Sequence, residues 1–330
     1  MNYQDNPKKT GFKRILAGIL MATALMGAAS ASADWPTKPI QLVVVFPPGG
    51  SADQMGRILA PHISKHLGQN VIVENRGGAG GMIGTAAVAK GNDHMFGVIF
   101  DTHATNAQLY KDNISFDSMN DVNFVTLFGT APLAIFAGKK SEHKRANSLF
   151  KASKEGKQLS YGSVGTGGLG HLAMVSLANQ GNFAWEHIAY RGGGPLHMDV
   201  AANHVDVGIS SLLAIKGLVD GGSLVPLAVT TDVRSSVFPD VPTVAELGYE
   251  GFNAPTWWGM VSPGATNQKI VDRMYEATRY ALQQPDVIDH LTRQGVTIAG
   301  STPGEFKAFV QDQMTQWGKV IQENKVAAGD

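Results

Sequence analysis

Not one of the 330 residues is cysteine, which removes disulfide staples, thiolate catalysis, iron–sulfur clusters and cysteine zinc sites from consideration. A chain of this length must then be held by its hydrophobic core, and it is long enough to build one, in two lobes. Beyond residue 33 there is no apolar run long enough to span a membrane and no run of Lys or Arg. The usual catalytic signatures are missing as well: no G-x-S-x-G elbow, no H-E-x-x-H pair and no P-loop lysine.

The N-terminus reads as an address. Lys8, Lys9, Lys13 and Arg14 precede the apolar run Ile15 to Ala29, which is too short for a membrane span, and Ala31-Ser32-Ala33 supplies the small residues of a cleavage site. Cleavage after Ala33 is expected, with residues 1–33 as signal peptide and an exported, periplasmic mature chain. That cleavage removes four of the 27 basic and one of the 27 acidic residues, leaving 23 against 26 and a net charge of −3. Such a balance argues against nucleic acid as a partner, because phosphate backbones demand clustered cations.

What the mature chain does contain is strand, Gly-rich turn and helix, repeated. Ile40 to Phe46 is a continuous apolar, β-branched run that stops at Pro47-Pro48-Gly49-Gly50, followed by helical spacing from Met55 to Leu67. Strand Asn70 to Glu74, helix Gly81 to Lys90 and strand Phe96 to Phe100 complete the first set of βαβ units. The grammar restarts with strand Leu159 to Ser163, helix Leu169 to Ala178, strand His187 to Tyr190, helix Pro195 to Ala202 and strands Val205 to Ile209 and Leu224 to Thr230. Leu133 to Ala137 and Trp257 to Val261 bracket that second sheet and are expected to cross between lobes. Lobe 1 then comprises residues 34–132 and 257–330, lobe 2 residues 133–256. Thr302 and Glu305 form a capping box with Pro303 at the first helical position.

A Gly-rich turn from strand to helix leaves backbone N–H groups free at the positive end of a helix dipole, which suits an anion. One such loop falls in each half: Pro47 to Asp53, with Gly49, Gly50 and Ser51, and Ser163 to Gly170, with Gly165, Thr166, Gly167 and Gly168. Two loops suggest a ligand gripped from both sides, although each alone is also an ordinary turn. Asp53 either faces the ligand or caps a helix. Gly165 to Gly170 matches the dinucleotide pattern G-x-G-x-x-G, but the next strand ends in Tyr190-Arg191-Gly192 where a ribose-binding acid belongs, so no nucleotide and no other cofactor is expected. His62 and His66 stand four apart on a helix without an acidic third ligand nearby in sequence, and read as partly exposed helix residues rather than a metal site. An exported hydrolase using Ser163 with His171 is the rival function.

Trp35-Pro36-Thr37-Lys38-Pro39-Ile40, Phe46 to Asp53, Val73-Glu74-Asn75-Arg76-Gly77-Gly78-Ala79-Gly80-Gly81, Tyr190-Arg191-Gly192 and Phe238-Pro239-Asp240-Val241-Pro242-Thr243 together resemble the Bug family, the extracytoplasmic receptors of tripartite tricarboxylate transporters. The resemblance runs from about Trp35 to the C-terminal helix. It implies an α/β fold of the type II periplasmic binding protein class, two lobes joined by two crossovers with a ligand cleft between them. It further implies a monomeric, non-enzymatic receptor that closes on a small carboxylate and delivers it to the membrane subunits of such a transporter. Carried over to this chain, the site residues are Pro47 to Asp53, Thr102, His103, Asn106 and Ser163 to His171, with Tyr190, Arg191 and Asp206 behind them. The family's usual Pro is Gly77 here and its usual Lys is Arg191, a planar cation suited to a bidentate carboxylate grip. Asn92 to Phe96 likewise replaces the family's Pro-Asp-Gly-Tyr-Thr turn. Citrate-like acids, dicarboxylates, acidic amino acids and aromatic acids are all ligands that the resemblance allows.

Overall fold

The computed structural model of the chain describes Met1 and residues 35–111 and 113–327, so the expected signal segment and its cleavage after Ala33 lie outside the described residues. Every element below belongs to one unit that begins at Lys38. In chain order these are β1 (Ile40–Val44), α1 (Ser51–Leu67), β2 (Val71–Asn75), α2 (Met82–Ala89), β3 (Met95–Phe100) and α3 (Thr102–Leu109), then the long strand β4 (Val122–Gly138). There follow α4 (Ala146–Lys154), β5 (Leu159–Val164), α5 (Leu169–Gly181), β6 (Trp185–Tyr190), α6 (Gly193–Ala201), β7 (Val207–Ser211), α7 (Leu212–Asp220) and β8 (Leu224–Val229). The chain closes with β9 (Pro255–Pro263), α8 (Gln268–Leu282), α9 (Pro285–Arg293), β10 (Thr297–Ile298) and α10 (Pro303–Glu323). Among the described residues no helix is long and apolar enough to cross a membrane.

The strands line up as β2-β1-β3-β9-β4-β7-β5-β6, with β8 and β10 paired to β4 off this path. β1 runs parallel to β2 and β3, and β5 runs parallel to β6 and β7. Ile40, Leu42, Val43 and Val44 of β1 are all buried, as an apolar run in a parallel sheet covered on both faces should be. Met55, Leu59 and Ile63 on one face of α1 are each fully buried.

β4 begins at Val122, well before the expected Leu133. Its residues 122–132 pair with β9, ending at Pro132 opposite Pro255, and from Leu133 onward it pairs with β7 and β8. Pro132 reads as a strand breaker in sequence because it has no N–H, yet it sits where the strand changes partners. Leu133 to Ala137 therefore lies wholly on the second side and Trp257 to Val261 wholly on the first.

The second core gathers Leu159, Leu172, Met174, Leu177 and Ile209, and also takes Trp317 and Ile321 from the end of α10. The C-terminal helix thus touches both halves rather than returning to the first alone. Its start carries the expected capping box: Thr302 Oγ1 accepts from the Glu305 N–H while the Glu305 carboxylate accepts from the Thr302 N–H.

Candidate functional site

Parallel strands deliver their carboxyl ends, and the helices that follow them, to one edge of a sheet, and ligands of open α/β folds bind there. Here five such junctions converge on a single cavity of about 170 Å³, more than ten times the about 10–15 Å³ that one water requires. The N-cap residues of α1, α3, α5, α6 and α7 are Gly50, Asp101, Gly168, Gly192 and Ser211, and all five line it. None of the five helices is closed by a side chain at its start. Of the helices that begin elsewhere, α8 and α10 are capped by the side chains of Asn267 and Thr302, while α2, α4 and α9 are uncapped as well. Each of the five starts at the cavity carries roughly half a positive charge, although the Thr102 and Leu169 N–H groups that open α3 and α5 are already directed at the Asp101 carboxylate.

The walls are apolar, from Phe46, Phe100, Leu133, Val164, Leu169 and Ile209. Phe46 meets Phe100 edge-on at 5.4 Å, and Trp258 behind them donates its indole N–H to Ser51 Oγ at 3.1 Å. The lining holds one cation, Arg191, and one carboxylate, Asp101. Burial pushes the Asp101 carboxyl up to about 7, against the Thr256 hydroxyl and the Leu169 and Thr102 amides that favour its charge. An apolar wall, several helix starts and one guanidinium are chemically suited to a small anion.

Of the stretches expected at the site, Pro47, Pro48, Gly50, Ser51 and Ala52 of the first loop, Val164, Gly168, Leu169 and Gly170 of the second, and Arg191 line the cavity. The remaining expected residues do not reach it. Asp53 turns away: its carboxylate accepts from Gly49 N, from Arg57 Nε and from Asn75 Nδ2, all at 2.9–3.0 Å. Burial would raise its pKa, but those bonds hold it below the usual carboxylate range. Asp53 thus shapes the turn at Gly49, whose φ is +86°. Thr102, His103 and Asn106 border a separate gap beside Gly80 and Phe116. There His103 Nε2 lies 2.9 Å from the Ser118 carbonyl and Asn106 donates to the Gly80 carbonyl.

In the second loop Gly165, Thr166 and Gly167 form the bend behind Gly168 and do not reach the cavity. Gly167 has φ +75°, and a Cβ there would lie 1.9 Å from Leu109 Cδ1 of α3, so the loop packs against the other half of the molecule only because this residue has no side chain. Ser163 Oγ lies 2.8 Å from His187 Nε2, and not beside His171, whose Nδ1 accepts from the Gly167 N–H. The two imidazoles stack at 3.9 Å. With His171 committed to the loop and Ser163 outside the cavity, the pair expected of a hydrolase is not assembled. Tyr190 donates to Asp199, and Asp206 accepts from Ser160 at the opposite end of β5 from the cavity. His62 pairs with Asp286 at 3.0 Å, an acid far off in sequence, yet among the described residues no three ligating groups gather for a metal.

Sequence reasoning missed Asp101, Gly192 to Pro195, Ser210 and Ser211. The signal for the latter two stretches was present, since Tyr190-Arg191-Gly192 and Ser210-Ser211 also end a strand and open a helix.

The profile of the tripartite tricarboxylate transporter family receptor matches residues 55–326. Protein BugT of Bordetella pertussis is 32% identical over 316 residues, covering 94% of this chain and 97% of that protein. Among solved structures, Rpa4515 of R. palustris with adipate superposes with a TM-score of 0.85 at 28% identity, over 89% of this chain and 99% of that one. MatC of Rhodopseudomonas palustris with bound malate gives 0.79 at 25% identity, over 87% and 100%. The fold is that of a type II periplasmic binding protein, and the chain belongs to the tripartite tricarboxylate transporter receptor family.

Proposed function

We propose that this chain is an exported receptor that captures a small organic acid by closing two lobes around it and hands it to the membrane subunits of a tripartite tricarboxylate transporter. The observation that carries the reading is the convergence of five uncapped helix starts on one cavity that also holds Arg191. Such a ring stabilises a carboxylate through charge-assisted N–H bonds without a full complement of counter-cations. The solved structures of two relatives, one with adipate and one with bound malate, support the same ligand class.

In this reading lobe 1 comprises residues 34–132 and 257–330 and lobe 2 residues 133–256, with the hinge at Pro132 and Pro255, where β4 changes partners. Pro47, Gly50, Ser51, Gly168 and Arg191 contact the ligand, joined by Gly192 to Gly194 and Ser211. Asp53, His171 and the other residues behind the cavity hold its loops in place. The protein works as a monomer, is released by cleavage after Ala33, and returns its ligand chemically unchanged.

Calorimetric titration with adipate, malate and succinate, each beside its diamide, tests the proposal. The acids should bind at least tenfold more tightly, since a charge-assisted hydrogen bond is worth roughly 1.5 kcal/mol or more. Equal binding of acids and amides would reduce the helix starts to ordinary turns. Conversion of any bound acid at a rate proportional to protein would overturn the receptor role.

A further inference from the structure

Resting on the carboxylate-receptor reading, we propose that Asp101 is a specificity-determining residue, selecting acids that also carry an O–H or N–H donor. A carboxylate is the wrong group to place in a site built for bare anions. Asp101 is nonetheless in the cavity wall, 3% exposed, at the start of α3. Its two oxygens are treated differently by the protein. Oδ2 accepts from the Thr256 hydroxyl at 2.5 Å, whereas Oδ1 is buried with no hydrogen-bond partner. The Leu169 and Thr102 amides attract the charge but leave Oδ1 without an aligned bond.

A buried acceptor without a donor is costly, and a buried charge without a counter-charge more so. Arg191 does not remedy this: it is exposed and is not among the groups that favour the Asp101 charge. A ligand that brings its own hydroxyl or ammonium supplies the missing donor, while its carboxylate faces the helix starts. Above about pH 7, where Asp101 is charged, a ligand with carboxylates alone brings like charge toward it and supplies nothing to Oδ1.

Matched acids test this at two chain lengths: succinate, malate and aspartate, then glutarate, 2-hydroxyglutarate and glutamate, each enantiomer separately, titrated calorimetrically against the full mature chain. In at least one set a donor-bearing acid should bind at least tenfold more tightly than its plain parent, and whether hydroxyl or ammonium leads identifies the donor. In Asp101→Asn, which keeps an acceptor but loses the charge, the ammonium advantage should shrink to under threefold while the plain acid binds no worse. Thr256→Val serves as the structural control, since it removes the Oδ2 partner and should lower Tm without changing the order of ligands. Plain acids binding as tightly as donor-bearing ones in both sets would overturn the inference and leave the receptor reading intact. A uniform loss for all acids in Asp101→Asn would reduce Asp101 to a structural residue and also overturn it. If no acid binds, adipate included, the receptor reading falls and takes this inference with it.

Discussion

Gly167→Ala should weaken ligand binding without touching the cavity. Gly167 lies in the bend between β5 and α5, and the Cβ added there would meet Leu109 Cδ1 at 1.9 Å and Leu109 Cγ at 3.4 Å. Leu109 ends α3, on the far side of the cleft, and packs against the second core. Two costs follow, and they fall on different states. The left-handed backbone, φ +75°, costs a side chain about 1–2 kcal/mol whether the cleft is open or closed, so it lowers overall stability. The collision with Leu109 exists only when the two halves are in contact, so it is charged to the closed state alone. The tip of a leucine can swing aside, which places the collision near the low end of overpacking, about 1–2 kcal/mol. A bias of that size against the binding-competent state raises Kd by the same factor, roughly 5–30-fold at 1.4 kcal/mol per decade. Calorimetry on the tightest ligand of the acid panel reads the Kd, and urea unfolding of the ligand-free protein reads the backbone cost. Adding Leu109→Ala should bring Kd back to within about threefold of Leu109→Ala alone, because the double variant removes the colliding atom. An unchanged Kd in Gly167→Ala, or no recovery in the double variant, would refute a closed-state contact at this position.

Arg191→Lys should weaken carboxylate binding by about tenfold with no change in Tm, because an ammonium replaces a planar two-pronged donor at an exposed position in the cavity wall; titration and a melting curve decide it. Burial pushes His103, His171 and His197 down to about 4, below their ordinary 6.5, so the unfolded chain binds protons that the folded chain refuses. Their stability contribution is therefore complete above pH 6.5 and lost as pH falls toward 4, by about 1–2 kcal/mol each between pH 7 and 5. Asp101, raised to about 7, works in the opposite sense and recovers about 2 kcal/mol over that interval. The urea midpoint should be lower at pH 5 than at pH 7, and a midpoint that holds or rises would contradict the histidine account. Asp53→Asn should cost about 2 kcal/mol of stability, because the amide no longer offers a charged acceptor to Gly49 N, Arg57 and Asn75; a loss under about 0.5 kcal/mol in urea unfolding would show that the turn does not depend on that charge.

Elements with local causes are legible along the chain. Ile40 to Val44 had to be a buried parallel strand because nothing in the run is polar except Gln41, and Thr302 with Glu305 had to open a helix because both capping bonds span three residues. The Gly-rich ends of β1 and β5 are legible as strand-to-helix turns for the same reason, since a helix start is written in a few consecutive residues. Which residues of those loops line the cavity depends on packing between segments far apart in the chain. Asp53 is adjacent in sequence to the cavity-lining Ala52, but a helix turns 100° per residue and points it at Asn75 instead. Ser163 is paired with His187 rather than His171 because β5 and β6 lie side by side, a pairing set by register and invisible at a separation of 24 residues. Asp101 could be read as a site residue only once β3 was placed beside the other parallel strands and α5 brought Leu169 across the cleft to it. Burial is a property of what packs around a group, so a carboxylate with one satisfied oxygen and one orphaned oxygen exists only in the folded chain.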